Sequence, residues 1–130
     1  MPNFTALVTL LAVILYFWIS FRVGQARVKF GIKPPATTGN PDFERVFRIH
    51  MNTLEWMPIF LPAIWLAAIY VSDIGAALIG VVWIAGRMLY MRGYAEAVEK
   101  RETGFFVQAI AAGVLWLAAL IGVLASMVHG

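Results

Sequence analysis

The chain has 130 residues, enough for one domain, and 62% of them are hydrophobic against 13% charged. A soluble domain runs at about 45–50% apolar and about 25% charged, so both departures point to a membrane protein; a mean hydropathy of +0.81 agrees. The net charge of +3 is spread too thinly over so apolar a chain to make a nucleic-acid surface, and the lack of cysteine excludes a disulfide framework, a thiolate metal site and an internal catalytic thiol.

Crossing a hydrocarbon core of about 30 Å takes roughly 20 mostly apolar helical residues. The run Phe4–Phe21 meets that length, and its helix is expected to continue to about residue 30. It lacks a basic leading segment, and Arg22-Val-Gly-Gln-Ala-Arg27 follows in place of a cleavage site, so it reads as a retained span rather than a signal peptide. Gly31–Asp42 carries three prolines and two glycines and is expected to be a loop. Asn40-Pro41 has the form of an N-cap followed by proline at the first helical position, opening a helix over about 41–71 whose apolar part runs from Met57 to Val71. Ser72-Asp73 is a very short turn, so the second and third helices form an antiparallel hairpin. The third span is Ile74–Met91, with its helix carried to about residue 100. Glu96–Gly104 then connects to a fourth helix over about 104–128. No alternating-strand pattern appears, so the expected fold is all-α: one integral membrane four-helix bundle covering residues 1–130.

All ten Lys and Arg residues fall between Arg22 and Arg48 or between Arg87 and Arg101. With four spans these two stretches lie on one side of the membrane. The positive-inside rule puts them in the cytoplasm and both termini outside.

Two polar stripes lie close to membrane depth. Arg45, Arg48, Asn52, Glu55 and Trp56 share one face of the second helix; Arg87, Tyr90, Tyr94 and Arg101, at spacings of 3, 4 and 7, share a face if the third helix continues that far. Ionisable groups near lipid are costly unless they face protein or water, so the stripes imply a polar cavity between helices. Blander readings stand beside this one. Tyr90 and Tyr94 fit an interface belt, Arg22, Arg92 and Lys100 fit topology charges or headgroup contacts, and Arg48 with Glu55 fits a structural ion pair. Pro58 and Pro62 are tolerated inside a membrane helix. His50 lacks partners at metal-ligand spacing, so no metal is expected. A cavity with more cations than anions suits a ligand with two carboxylates and one amine, because arginines grip carboxylates and Glu55 can pair with an ammonium. Glutathione has that charge pattern and brings a thiol.

The stretch Pro34–Leu61 (PPATTGNPDFERVFRIHMNTLEWMPIFL) and the stretch Gly86–Ala97 (GRMLYMRGYAEA), followed by Lys100-Arg101 and Gly104-Phe105, resemble the signatures of the membrane-associated proteins in eicosanoid and glutathione metabolism. That family, abbreviated MAPEG, includes the microsomal glutathione transferases and leukotriene C synthase. The resemblance implies a homotrimer of four-helix subunits, with glutathione between neighbouring subunits near the cytoplasmic face. It implies glutathione contacts from Arg27, Arg48, His50, Asn52, Glu55, Arg87, Tyr90 and Tyr94, and a thiolate-stabilising catalytic role for Arg101. It further implies transferase or glutathione peroxidase chemistry on a lipophilic second substrate that arrives from membrane lipid. A non-catalytic lipid-binding protein and a glutathione-dependent isomerase of the prostaglandin E synthase type are the alternatives within the same fold. Three positions depart from the leukotriene synthase pattern: Val28 stands in place of a second arginine, Trp56 in place of a tyrosine, and His50 in place of a glutamine.

Overall fold

The structure, a computed structural model, describes residues 1–130 apart from the side chains of Ala95 and Val98. It is all-helical: α1 (Asn3–Phe30), α2 (Pro41–Tyr70), α3 (Asp73–Glu96), a 3-10 turn (Val98–Arg101) and α4 (Glu102–His129). Each of the four long helices is long and apolar enough to cross a membrane. The outward faces carry large apolar side chains such as Leu10, Ile14 and Phe17 on α1 and Ile110, Leu117 and Ile121 on α4. In water that surface would be unstable; in lipid it is the ordinary exterior.

Helix ends follow from local chemistry. α1 stops at Gly31, which takes a left-handed φ of 69° and returns its amide to the Arg27 carbonyl. The Asn40 side chain accepts from the amides of Asp42 (2.9 Å) and Phe43 (3.1 Å), and Pro41 follows where no amide is needed. Ser72 Oγ accepts from the Gly75 amide at 3.0 Å and opens α3 directly after α2. The N-terminus of α1 has no side-chain cap of its own. Asp73, the first residue of α3, supplies one: its carboxylate accepts from the amides of Phe4 (3.1 Å) and Thr5 (2.9 Å). Within α2, Pro58 and Pro62 face outward and the helix runs through them.

The core is built from aromatic stacking against small residues. Phe60 and Trp83 stack with ring centroids 3.9 Å apart and planes 6° from parallel, and both are fully buried. Ala63, Ala67, Ala111 and Ala112 let the helices close around them. α3 and α4 come closest at two glycines. A Cβ on Gly86 would lie 2.6 Å from the Gln108 nitrogen, and one on Gly104 would lie 2.0 Å from the Tyr90 nitrogen.

α3 is shorter than its sequence suggests. The chain turns extended at Ala97 (φ −162°, ψ 149°), so the helix ends at Glu96 rather than near residue 100. Gly93 permits this reversal: the Lys100 carbonyl folds back to where its Cβ would be, 2.2 Å away. α4 accordingly begins at Glu102, before the expected residue 104.

Candidate functional site

The polar residues of α2 and α3 meet around one guanidinium. Arg87 is 1% exposed, sealed inside the bundle. Its Nη1 donates to Asn52 Oδ1 at 2.7 Å and its Nη2 to Thr53 Oγ1 at 2.6 Å. The Thr53 hydroxyl donates in turn to the Ile49 carbonyl at 2.8 Å, and the guanidinium lies 4.5 Å from the Tyr90 ring centroid. These contacts tie α3 to α2 and satisfy most of a charge that would be very costly in a dry interior. They also orient Asn52. Its oxygen accepts from a donor-only group, which fixes the orientation of the amide and leaves both NH2 hydrogens to offer.

In front of this layer lies an open cleft of about 570 Å3 between α2, α3 and the start of α4. Arg48 and Asn52 come from α2, Tyr90 and Tyr94 from α3, and Arg101 from the 3-10 turn; Glu102, Phe105 and Phe106 complete the wall. Tyr90 and Tyr94 have ring centroids 5.5 Å apart, Phe105 lies 6.2 Å from Tyr90, and the Arg101 guanidinium lies 5.6 Å from the Tyr94 ring. Trp56 meets Phe105 edge-on at 5.7 Å. Arg48 pairs loosely with Glu55 at 3.7 Å, both side chains being more than half exposed at 54% and 58%.

Five of the residues singled out in the sequence thus share one cleft: Arg48, Asn52, Tyr90, Tyr94 and Arg101. Glu55 stands beside it through its contact with Arg48. Three others lie elsewhere. Arg87 is behind the wall rather than on it. Arg27 donates to the carbonyls of Ile32 (3.3 Å) and Ala36 (2.8 Å) and lies 5.1 Å from the Phe43 ring, on the α1 flank. His50 Nε2 is 2.9 Å from Ser20 Oγ and its ring is 5.0 Å from that of Tyr16, in the α1–α2 seam. Arg101 reaches the cleft by a different route from the one its spacing suggested. The third helix does not carry it there; the reversal after Ala97 does. Among the described residues no group of three His, Cys, Asp or Glu side chains could hold a metal.

The cleft therefore offers two guanidinium groups, two phenols and an amide donor against the carboxylates of Glu102 and the adjacent Glu55, with an aromatic wall on the α4 side. It suits an anionic, partly zwitterionic small molecule beside an apolar surface. Residues 5–121 match the MAPEG family. The chain belongs to that family. The matched MAPEG stretch runs through all four helices and contains the whole cleft. The chain is similar to an uncharacterized protein of Synechocystis sp., 50% identical over 119 residues (92% of this chain and 87% of the relative). It is similar to microsomal glutathione S-transferase 2 of Homo sapiens, 43% identical over 119 residues (92% and 79%). It is similar also to leukotriene C4 synthase of Bos taurus, 40% identical over 124 residues (95% and 81%).

Spacing along the MAPEG sequence does not single out Thr53, Glu102 or Phe106. Thr53 sits one position from Asn52 and so points to the core, where a threonine among apolar neighbours signals little by itself. Glu102 and Phe106 open α4 on the face turned toward Tyr94, which follows only once the reversal after Ala97 is known.

Proposed function

We propose that this protein is a membrane-bound glutathione S-transferase. The observation that carries the proposal is the gathering of Arg48, Asn52, Tyr90, Tyr94 and Arg101 on one cleft at the basic end of an apolar four-helix bundle. Glutathione carries two carboxylates, one ammonium group and a thiol. In this reading Arg48 and the Asn52 amide hold carboxylate and carbonyl oxygens, and Glu55 meets the ammonium. Two relatives support the assignment by name: one is called a glutathione S-transferase and the other leukotriene C4 synthase.

The chemistry begins with the thiol. A free thiol has a pKa of about 8.5, so it is mostly protonated at neutral pH. A guanidinium beside the sulfur favours the anion and lowers that value, and Arg101, held against Tyr94, is the group assigned to this role. The thiolate attacks an electrophilic carbon, forming a carbon–sulfur bond as the leaving group departs with the electron pair. With a lipid hydroperoxide it attacks oxygen instead, releasing the alcohol; a second glutathione then takes the oxidised sulfur to the disulfide and water. The lipophilic partner enters from the membrane along the Phe105–Phe106 side.

The working unit in this proposal is a homotrimer. The cleft is open on one side, while Arg27 and His50 lie on the α1 flank of the same chain, away from it. A neighbouring copy would bring that flank to the open side. The two basic stretches, and with them the cleft, face the cytoplasm and both termini lie outside. Single cysteines at Thr37 and His129 should label from opposite sides of sealed vesicles; labelling from one side would reverse this arrangement.

The deciding experiment uses purified protein, glutathione and either an aryl halide or a lipid hydroperoxide, with conjugate, alcohol and glutathione disulfide measured directly. Thiolate absorbance titrated against pH tests Arg101. In Arg101→Ala the bound thiol should titrate near the free value, so thiolate is lost around neutral pH and regained only at higher pH, and turnover should fall more than affinity. Arg101→Lys should keep part of the effect, because the charge survives while the planar fork is lost. An Ala variant that forms thiolate as readily as the parent would remove Arg101 from this role.

A further inference from the structure

A second amphipathic cavity lies against a different face of α2 from the cleft. It holds about 370 Å3 between the basic ends of α1, α2 and α3. Its floor is apolar, made by Ile19, Val46, Ile49 and Met91, and its rim carries Arg22 from α1 and Arg92 from α3. Glu96 also reaches the rim but is paired with Lys100 at 3.1 Å, which leaves the two arginines to set the sign of the local field. The cavity adjoins a groove of about 540 Å3 with which it shares Arg22 and Val46, and there Lys29 adds positive charge, Asp42 and Arg45 being ion-paired with each other.

The depth of these residues is fixed from both directions. Arg22 follows directly on the apolar run of α1 and lies 5.6 Å from the ring of Trp18, which itself stacks on Phe21. Tryptophan beside arginine at the end of an apolar span is the composition of a membrane interface. Arg92 lies just beyond the apolar part of α3, so the two guanidinium groups stand at headgroup level while Ile19, Ile49 and Met91 lie on the hydrocarbon side of them. Two guanidinium groups from different helices above an apolar hollow are complementary to a phosphodiester attached to acyl chains.

We propose that this cavity binds a phospholipid with an anionic headgroup, the phosphate between Arg22 and Arg92 and the upper part of an acyl chain over Ile19, Ile49 and Met91. The site needs one chain only and shares no lining residue with the cleft. Through Ile49 it touches α2 one turn from Asn52, because Ile49 supplies the carbonyl that holds the Thr53 hydroxyl.

The test is native mass spectrometry of the purified protein in mild detergent with equimolar dioleoyl phosphatidylglycerol and dioleoyl phosphatidylcholine. The parent should retain phosphatidylglycerol severalfold over phosphatidylcholine. Each of Arg22→Gln and Arg92→Gln should lower that preference about fivefold at most, and the double variant should bring it close to one. Both side chains are exposed, so folding should be unaffected, with circular dichroism and thermal unfolding as the check. Lys33→Gln, in the exposed loop, should leave the preference intact. Millimolar inorganic phosphate should not displace the lipid, because a free anion gains nothing from the apolar floor. Equal retention of the two lipids, full preference in the double variant, or displacement by phosphate would each overturn the proposal.

Discussion

Arg87 shows how a residue can matter to a cleft without lining it. Its guanidinium fixes the oxygen of Asn52 and leaves that side chain its amide hydrogens to offer a ligand. Arg87→Met keeps much of the volume but leaves Asn52 Oδ1 and Thr53 Oγ1 without their donor, and hydrogen bonds to a charged group are worth about 1.5–3 kcal/mol each. Arg87→Met should therefore lower the thermal midpoint and weaken glutathione binding. If the effect on binding runs through Asn52, Arg87→Met and Asn52→Ala should be strongly non-additive, the double variant binding little worse than Asn52→Ala alone. Additive losses, measured by calorimetry, would mean that Arg87 contacts the ligand directly. At this scale the sequence was informative about residue type and poor about direction. A stripe of Arg87, Tyr90 and Tyr94 was visible from spacing, but on a helix packed on several sides spacing cannot tell which member faces the cleft and which the core. Only the position of Thr53 on α2 decides it.

The helices themselves were legible because their signals are local. Asn40-Pro41, Ser72-Asp73 and the apolar runs each announce an end or a span within a few residues. What was not legible depends on two helices at once. Asp73 reads in the sequence as a lone acid at a turn, yet it closes the N-terminus of α1, which lies 68 residues away along the chain from its Thr5 contact. The end of α3 depends on Gly93 admitting the Lys100 carbonyl, a contact that no periodicity reveals. Gly104 makes the same kind of contact between α3 and α4, and it gives a sharp prediction. A methyl group there would press on the Tyr90 backbone, which cannot move aside as a side chain can. Gly104→Ala should destabilise the bundle by about 1–3 kcal/mol, the usual cost of overpacking, and should disturb the cleft by displacing Tyr90. Gly113→Ala on the same helix meets nothing within 4 Å and should be neutral or stabilising by up to about 1 kcal/mol. Thermal unfolding of the two variants side by side separates a packing effect from a general intolerance of α4 to substitution.

For the whole molecule, the question is whether one chain makes a complete site. Four helices long and apolar enough to cross a membrane fit the bundle to lipid, but hydropathy does not say what meets the open side of the cleft. In the proposed ring of three each interface would be heterologous, the cleft face of one subunit meeting the α1 flank of the next. Arg48 and Arg27 lie on those two faces of the chain. If both contribute to one glutathione site, trimers made only of Arg48→Ala or only of Arg27→Ala subunits have no intact site. Mixed trimers do, wherever an Arg27→Ala subunit supplies the cleft and an Arg48→Ala subunit supplies the flank. Random mixing of equal amounts makes about a quarter of all interfaces complete, and each mixed trimer, the species that both tags retain, has one complete site of its three. Co-expressed, differently tagged subunits purified over both tags should therefore recover a minority of sites with parental affinity, while neither parent trimer has any. Calorimetric stoichiometry reads this directly. Mixed trimers that bind no better than the two homotrimers would place Arg27 and Arg48 in separate roles, with the cleft complete within one chain.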